Sequence, residues 1–175
     1  MRIRRLPALL VLAVMLTASP ASAAGANGLS RATGGGSFLF EGATPNIPMQ
    51  FSFSSVAHAD GSASGSFHHF YVSDGFTYEF WGTVTCVTFA TVDAQNRRAW
   101  IGGVLTKVSS TDPEVGLFAG DEAWFRVLDS TDGDRSTAMG FAGFESSEEY
   151  CAIQIWPDDN ARTHPVTEGQ IKVAV

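Results

Sequence analysis

Apolar and polar residues alternate along much of the chain, and the longest alternating run extends from Phe76 to Ala90. One face of this run carries its large apolar residues and a cysteine: Phe76, Tyr78, Phe80, Val84 and Cys86. Successive side chains of a strand point to opposite faces, so this alternation is typical of a half-buried antiparallel strand. Asp60-Gly61 and Asp74-Gly75 are typical hairpin turns, which predict neighbouring antiparallel strands.

Shorter runs of the same kind predict the positions of the other strands. They cover residues 37–40, 50–56, 62–72, 99–108, 122–129, 137–144, 150–156 and 171–173. Gly102-Gly103 indicates a bulge or sharp bend, and residues 109–121 are expected to form a long loop. We therefore predict an all-β fold, a single antiparallel meander of about eight strands in a closed or nearly closed β-barrel, with a β-sandwich as the alternative.

The first residues have the composition of an export signal. Arg2, Arg4 and Arg5 precede an apolar run, and Ala21-Ser22-Ala23 has the small residues that signal peptidase recognises. The apolar run is too short for a membrane anchor, and no cysteine for lipid attachment is nearby. We predict a signal peptide at residues 1–23, a disordered arm at 24–36 and a secreted β domain at 37–175, extracellular or periplasmic and without a membrane anchor. A twin-arginine signal is the alternative for export.

The charge balance narrows the classes of partner. The chain has 18 acidic and 11 basic residues, a formal net charge of −7, and three of its arginines lie in the predicted signal peptide. An acidic chain without a basic cluster repels phosphate backbones, so we expect no binding to nucleic acid or to anionic membranes. The charge is typical of a protein kept soluble outside the cell.

Cys86 and Cys151 are the only cysteines. Export would place them in an oxidising compartment, and both fall on faces that the alternation predicts to point inward. We predict a disulfide between them; a pair of free thiols is the alternative. A zinc site would need two suitably spaced histidines, and the sequence provides none nearby.

No arrangement of residues predicts catalysis, a metal site or a cofactor. The nearest approach to a nucleophile elbow, residues 61–65, has alanine where the serine should be. His68 and His69 are adjacent in a predicted strand and so point to opposite faces, and we expect the histidines to lie at the surface or at strand edges. The acidic turn at 129–134 breaks the spacing of an EF-hand loop, and the glutamates within 145–149 are expected in an exposed loop.

Aromatic residues are the remaining functional signal, with 13 phenylalanines, four tryptophans and three tyrosines. They either fill the interior of the barrel or line a cavity in it. Trp81 and Trp124 fall on the faces opposite to the predicted core residues Phe80 and Phe125, which makes the two tryptophans candidates for an exposed recognition patch.

Two of the strands also carry a recognisable order of residues. Residues 82–87 read G-T-V-T-C-V, residues 99–104 read A-W-I-G-G-V, and Cys151 follows near the end. This order resembles a group of small secreted bacterial proteins of unknown function. The resemblance covers most of residues 37–175 and implies the same β domain, but it brings no activity with it. The chain departs from that group in two segments, 109–121 and 145–149.

The sequence is most consistent with a non-enzymatic binding or surface-associated module. Its expected partner is a small apolar ligand inside the barrel or a protein at its surface. The alternative is a small extracellular hydrolase or isomerase that uses carboxylates at the barrel mouth. Two or more acidic or histidine side chains in one apolar cavity would favour the enzyme.

Overall fold

A computed structural model describes residues 29–43 and 45–175 of the chain. Within these residues, eight strands form one closed antiparallel barrel in chain order, which confirms the predicted meander barrel over the sandwich. The strands are β1 (Ser30–Phe40), β2 (Ile47–Ala57), β3 (Ala63–Ser73), β4 (Phe76–Thr91), β5 (Asn96–Ser110), β6 (Glu122–Ser130), β7 (Arg135–Thr137) and β8 (Thr163–Ala174). A helix, α1 (Ser147–Ile153), lies between β7 and β8. The predicted signal peptide lies outside the described residues.

The two ends of the barrel differ in the connections they carry. The connections β1–β2, β3–β4 and β5–β6 meet at one end, which we call the mouth. The turns β2–β3, β4–β5 and β6–β7 meet at the other end, which we call the base. β1 closes the barrel by pairing with both β2 and β8, and Arg31 pairs with Ala174 at the base. The start of β1 and the end of β8 are therefore neighbours.

Phenylalanines from most of the wall fill the middle of the barrel: Phe38, Phe51, Phe53, Phe67, Phe80 and Phe125. Phe125 of β6 contacts rings from other strands, with ring centroids 5.5 Å from Phe53 and 5.8 Å from Phe67, both edge-on. Such edge-to-face pairs add to the stabilisation from burial. Six of the 13 phenylalanines thus fill the interior, as expected for a small barrel.

The predicted disordered arm is wrong for residues 30–36, which form most of β1, while residues 24–28 lie outside the described part of the chain. The glycines of this segment allow close packing of strands. A Cβ atom at Gly36 would lie 1.9 Å from the carbonyl oxygen of Glu168 in β8, and one at Gly34 would lie 2.7 Å from the ring of Phe53. Glycine in a strand often marks such a close approach.

The predicted strand at 150–156 is also wrong, because residues 147–153 form α1. Ser146 caps the helix: its hydroxyl accepts a hydrogen bond from the Glu149 backbone N–H at 3.1 Å. Tyr150 and Cys151 are buried against the outer wall of the barrel, whereas Ile153 is 52% exposed. The helix thus buries one face and exposes the other. The alternation at 150–156 is too short to distinguish this arrangement from a strand.

The predicted disulfide between Cys86 and Cys151 is present, with their Cα atoms 6.2 Å apart. It lies on the outer wall and not on inward faces as predicted, because the pairing of β4 with β5 shifts register between Val84 and Cys86. The shift turns the Cys86 side chain outward, towards α1. Gly102 of β5 leaves room for it, because a Cβ atom at position 102 would lie only 2.7 Å from the Cys86 sulfur. The predicted irregularity thus lies in β4, opposite Gly102-Gly103.

The predicted strand at 137–144 is wrong: β7 is a three-residue strand, Arg135–Thr137, and residues 138–144 are irregular except for one isolated bridge at Gly140. β7 pairs with β8 only at residues 163–165, so the later part of β8 has no strand partner on this side. Two carboxylates accept hydrogen bonds from its backbone instead. Asp134 accepts a hydrogen bond from the Ile171 N–H at 2.6 Å, and Asp129 accepts one from the Val173 N–H at 2.8 Å. These acidic residues therefore supply the acceptors that a longer neighbouring strand would have provided.

Candidate ligand-binding site

A cavity of about 260 Å³ opens at the mouth of the barrel. Its walls come from the inward faces of β1 to β4: Phe40, Ile47, Met49, His69, Tyr71 and Phe80. Its remaining side comes from the segment that follows β7, through Ala138, Met139 and Phe141. The filled middle of the barrel lies below, so the cavity is a pocket at one end and not a channel.

The segment with residues 138–141 is fixed to the barrel wall by its backbone. The N–H of Gly140 donates to the carbonyl of Trp124 in β6 at 2.8 Å, and the N–H of Trp124 donates back at 3.1 Å. Phe141 then packs on Phe80 of β4, with ring centroids 5.2 Å apart. One side of the cavity is thereby held in place without a regular strand.

His69 is the polar group that distinguishes this cavity. Its side chain is fully buried, and neither ring nitrogen has a hydrogen-bond partner among the described residues. Its neighbours are aromatic, with ring centroids 5.0 Å away at Phe125 and 6.2 Å away at Phe51. Burial, with a smaller contribution from His68, lowers the pKa of His69 to about 3, so the imidazole is neutral at physiological pH.

The sequence-based expectation of surface or edge histidines is wrong for His69. The alternation Phe67-His68-His69-Phe70-Tyr71 already contained the signal, because it places His69 on the same face as Phe67 and Tyr71. His68 points outward, where its Nε2 lies 2.8 Å from a carboxylate oxygen of Glu79. The expectation that the two histidines point to opposite faces is confirmed.

Tyr71 is the second polar residue in the lining. Its ring stacks on Tyr78 with centroids 4.8 Å apart, and the Tyr78 hydroxyl donates to Asp112 at 2.7 Å. This hydrogen bond raises the pKa of Tyr78 to about 12 and lowers the pKa of Asp112. The Asp112 carboxylate is thus hydrogen-bonded to the Tyr78 hydroxyl and does not line the cavity. The described residues that line the cavity include no carboxylate.

A second histidine lies beside the cavity but does not line it. His164 at the start of β8 stacks on Phe38 at 5.5 Å and meets the edge of Phe40 at 5.2 Å. Partial burial lowers the pKa of His164, against a smaller opposing effect of Glu41. Phe40 lines the cavity and His164 does not. Among the described residues, His69 is therefore the one histidine of the lining.

Exposed apolar side chains surround the same end of the molecule. Leu39 and Val72 lie near the mouth ends of β1 and β3, Phe76 begins β4, and Phe118 lies in the β5–β6 connection, where it is 68% exposed. We call these four side chains the rim. They come from separate strands and connections and add exposed apolar surface at the end of the barrel where the cavity opens.

The two tryptophans proposed as a recognition patch lie in different surroundings. Trp124 is only 6% exposed and packs under α1 against Phe144 and Tyr150, so its predicted exposure is wrong. Trp81 lies half-buried on the outer wall, stacked on His68 at 5.0 Å with the Lys107 ammonium 4.1 Å from its ring centre. Trp81 thus has no tryptophan partner in a patch.

Two buried arginines were not anticipated from the sequence. The Arg126 guanidinium donates to the carbonyls of Ile155, Trp156 and Ala161, and Arg98 donates to the carbonyl of Asp159 at 2.6 Å. Burial lowers the pKa of Arg126 to about 10. Both side chains fasten the segment after α1 to the outer wall, which is a structural role.

Residues 29–43 and 45–175 contain no group of three or more His, Cys, Asp or Glu side chains that could hold a metal ion. In the same part of the chain, no helix has the length and apolar character needed to cross a membrane. Comparisons with protein-family models, curated proteins and solved structures found no match to this chain. The resemblance to small secreted bacterial proteins stays a prediction, and the site is argued from its own geometry.

Proposed function

We propose that this chain is a non-enzymatic binding module that takes a small, mainly apolar ligand into the cavity at the barrel mouth. The observation that carries the proposal is His69, a buried polar group without a partner that lines a mainly apolar cavity, in which Tyr71 is the other polar residue. Ligand pockets typically combine an apolar lining with a few polar groups that fix orientation. The exposed apolar side chains around the mouth support the same function.

The size of the cavity limits the ligand. An apolar cavity of roughly 150 Å³ is enough to hold benzene. The mouth cavity, at about 260 Å³, has room for a ring with a short substituent or for a branched aliphatic chain of similar size. Larger ligands would extend between the apolar side chains of the rim.

Binding accounts for the lining better than the alternative hydrolase or isomerase does. Carboxylate catalysis requires acidic groups in reach of a substrate. The lining has one histidine and one tyrosine, and the nearby Asp112 is bound to Tyr78. We also propose that the module is secreted: a disulfide persists in oxidising compartments, and residues 1–23 have the composition that predicts a signal peptide.

Filling the cavity tests the proposal. Ala138→Phe places a ring inside the cavity, and we expect it to weaken the binding of ethylbenzene by at least about tenfold, measured by isothermal titration calorimetry. Ala142→Phe is the matched control, because Ala142 belongs to the same segment but is exposed. It should bind ethylbenzene as the wild-type protein does.

Thermal unfolding checks that both variants are folded and that binding occurs to the folded state. A ligand that binds the folded protein raises its Tm in a concentration-dependent way. Millimolar ethylbenzene should raise the Tm of the wild-type and Ala142→Phe proteins but not that of Ala138→Phe. Equal binding by all three proteins would show that the cavity is not the site.

A further inference from the structure

The unpaired imidazole of His69 sets a requirement that the surrounding protein does not meet. A neutral imidazole has one N–H donor and one acceptor nitrogen, and native proteins rarely leave such groups buried without partners. The rings nearest to His69, those of Phe51 and Phe125, offer no hydrogen-bonding atom. His69 is among the residues that line the cavity, but its ring nitrogens have almost no accessible surface. An occupant that displaces a neighbouring side chain can reach the imidazole and supply the missing partner.

We propose that the ligand is an uncharged molecule with an aromatic or aliphatic body and one hydroxyl or carbonyl group, which forms a hydrogen bond with His69. This inference rests on the proposed function and adds the chemistry of the ligand. The apolar body matches the lining, to which Phe40, Ile47 and Phe80 contribute together with the histidine. The single polar group matches the single buried imidazole.

The charges around the cavity favour an uncharged ligand. Burying an ion is unfavourable unless an opposite charge compensates it. Among the described residues, no Asp, Glu, Lys or Arg lines the cavity; Asp112 is bound to Tyr78, and Glu79 is paired with His68 on the outer wall. A cation would find no carboxylate here, and an anion would find no ammonium or guanidinium group.

Three probes that share one body separate these possibilities: ethylbenzene, 4-ethylphenol and 4-ethylbenzoate. Their dissociation constants are measured by isothermal titration calorimetry on the folded exported protein at pH 7. We expect the phenol to bind about tenfold more tightly than ethylbenzene, since that is the gain from one buried hydrogen bond. The benzoate should bind at least about tenfold more weakly than the phenol.

The variant His69→Phe replaces the imidazole by an apolar ring of similar shape. In this variant the dissociation constants of ethylbenzene and 4-ethylphenol should become equal within about a factor of two, because the preference for the phenol depends on the imidazole. A second readout needs no variant: nitrogen NMR of the wild-type protein should show a change in chemical shift of the His69 ring on addition of 4-ethylphenol and a smaller change with ethylbenzene.

The outcomes separate this inference from the proposed function. Binding of ethylbenzene and 4-ethylphenol with equal affinity, or tightest binding of the benzoate, would overturn the inference and leave a ligand-binding cavity in place. A preference for the phenol that survives in a folded His69→Phe protein would also overturn it. Absence of binding by all three probes at millimolar concentration would overturn both.

Discussion

Burial of the neutral His69 imidazole makes the free energy of unfolding depend on pH. A histidine that is neutral in the folded protein and free to take up a proton in the unfolded chain favours unfolding in acid. The folded-state pKa of about 3 lies below the ordinary value of 6.5. Between these two values the unfolded chain binds a proton at this position and the folded protein does not, so the free energy of unfolding decreases as the pH falls.

Replacing His69 should therefore flatten the acid side of the stability curve. We expect the free energy of unfolding of the wild-type protein to fall relative to His69→Phe by up to about 1.4 kcal/mol per pH unit below pH 6.5. Urea denaturation at several pH values measures the difference. His58→Ala is the control, because the His58 ring bonds the Ser64 hydroxyl outside the core. A constant difference between wild type and His69→Phe from pH 7 to 4 would contradict the burial of a neutral imidazole.

The surroundings of single residues were the least predictable part of the site. The alternation places His69 inward, but the lack of a polar partner depends on Phe125, which comes from β6 and is distant in sequence. Trp124 likewise points outward as expected and is buried only because α1 and Phe144 cover it. Periodicity predicts the face of a strand, and the atoms that cover that face come from long-range packing.

At the scale of elements, β1 shows how composition can mislead. Three consecutive glycines are typical of a flexible linker, yet here they let β1 pack closely between β2 and β8. What decides between the two interpretations is the partner strand. Gly36 pairs with Gly169, which lies more than a hundred residues away in the chain, and no local pattern predicts that pairing.

Two neighbouring substitutions separate close packing from flexibility. Gly36→Ala would place a Cβ 1.9 Å from the Glu168 carbonyl oxygen, and we expect it to lower the free energy of unfolding by about 1 to 3 kcal/mol or more. Gly35→Ala meets nothing closer than 3.4 Å and should stay within about 1 kcal/mol of the wild-type value. Denaturant titration compares the two. Equal effects would mean that β1 tolerates displacement from β8.

The helix α1 was predictable from a signal other than periodicity. Residues 146–149 read S-S-E-E, which contains the Ser-x-x-Glu order of a capping box. The alternation of Cys151, Ile153 and Ile155 favoured a strand, but a pattern this short fits either element. In the folded protein the cap favours the helix over the strand, because the Ser146 hydroxyl accepts a hydrogen bond from the Glu149 N–H.

For the molecule as a whole, the architecture followed from the alternating runs and the two Asp-Gly turns. Hairpin turns between neighbouring runs leave a meander as the simplest topology, and an eight-stranded meander that pairs its first and last strands is a closed barrel. Closure itself could not be derived, because it rests on the pairing of β1 with β8. The mouth cavity could not be derived either, since its last side is the irregular segment around Gly140.

The disulfide acts at this largest scale, because it joins α1 to the barrel wall across a sequence separation of 65 residues. By the loop-closure relation, such a bond stabilises the folded state by roughly 4 kcal/mol. We expect the Cys86→Ala/Cys151→Ala protein to lose free energy of unfolding of this order in urea denaturation. A reducing agent should destabilise the wild-type protein and leave the double variant unchanged. A loss below about 1 kcal/mol would contradict the relation.

The adjacency of the start of β1 and the end of β8 has a practical consequence. Arg31 pairs with Ala174 at the base, at the opposite end from the cavity. A tag or a tether attached beyond either strand therefore leaves from the base and keeps the mouth facing solution. When the protein is immobilised through such a tether, its cavity faces the solution that contains the ligand.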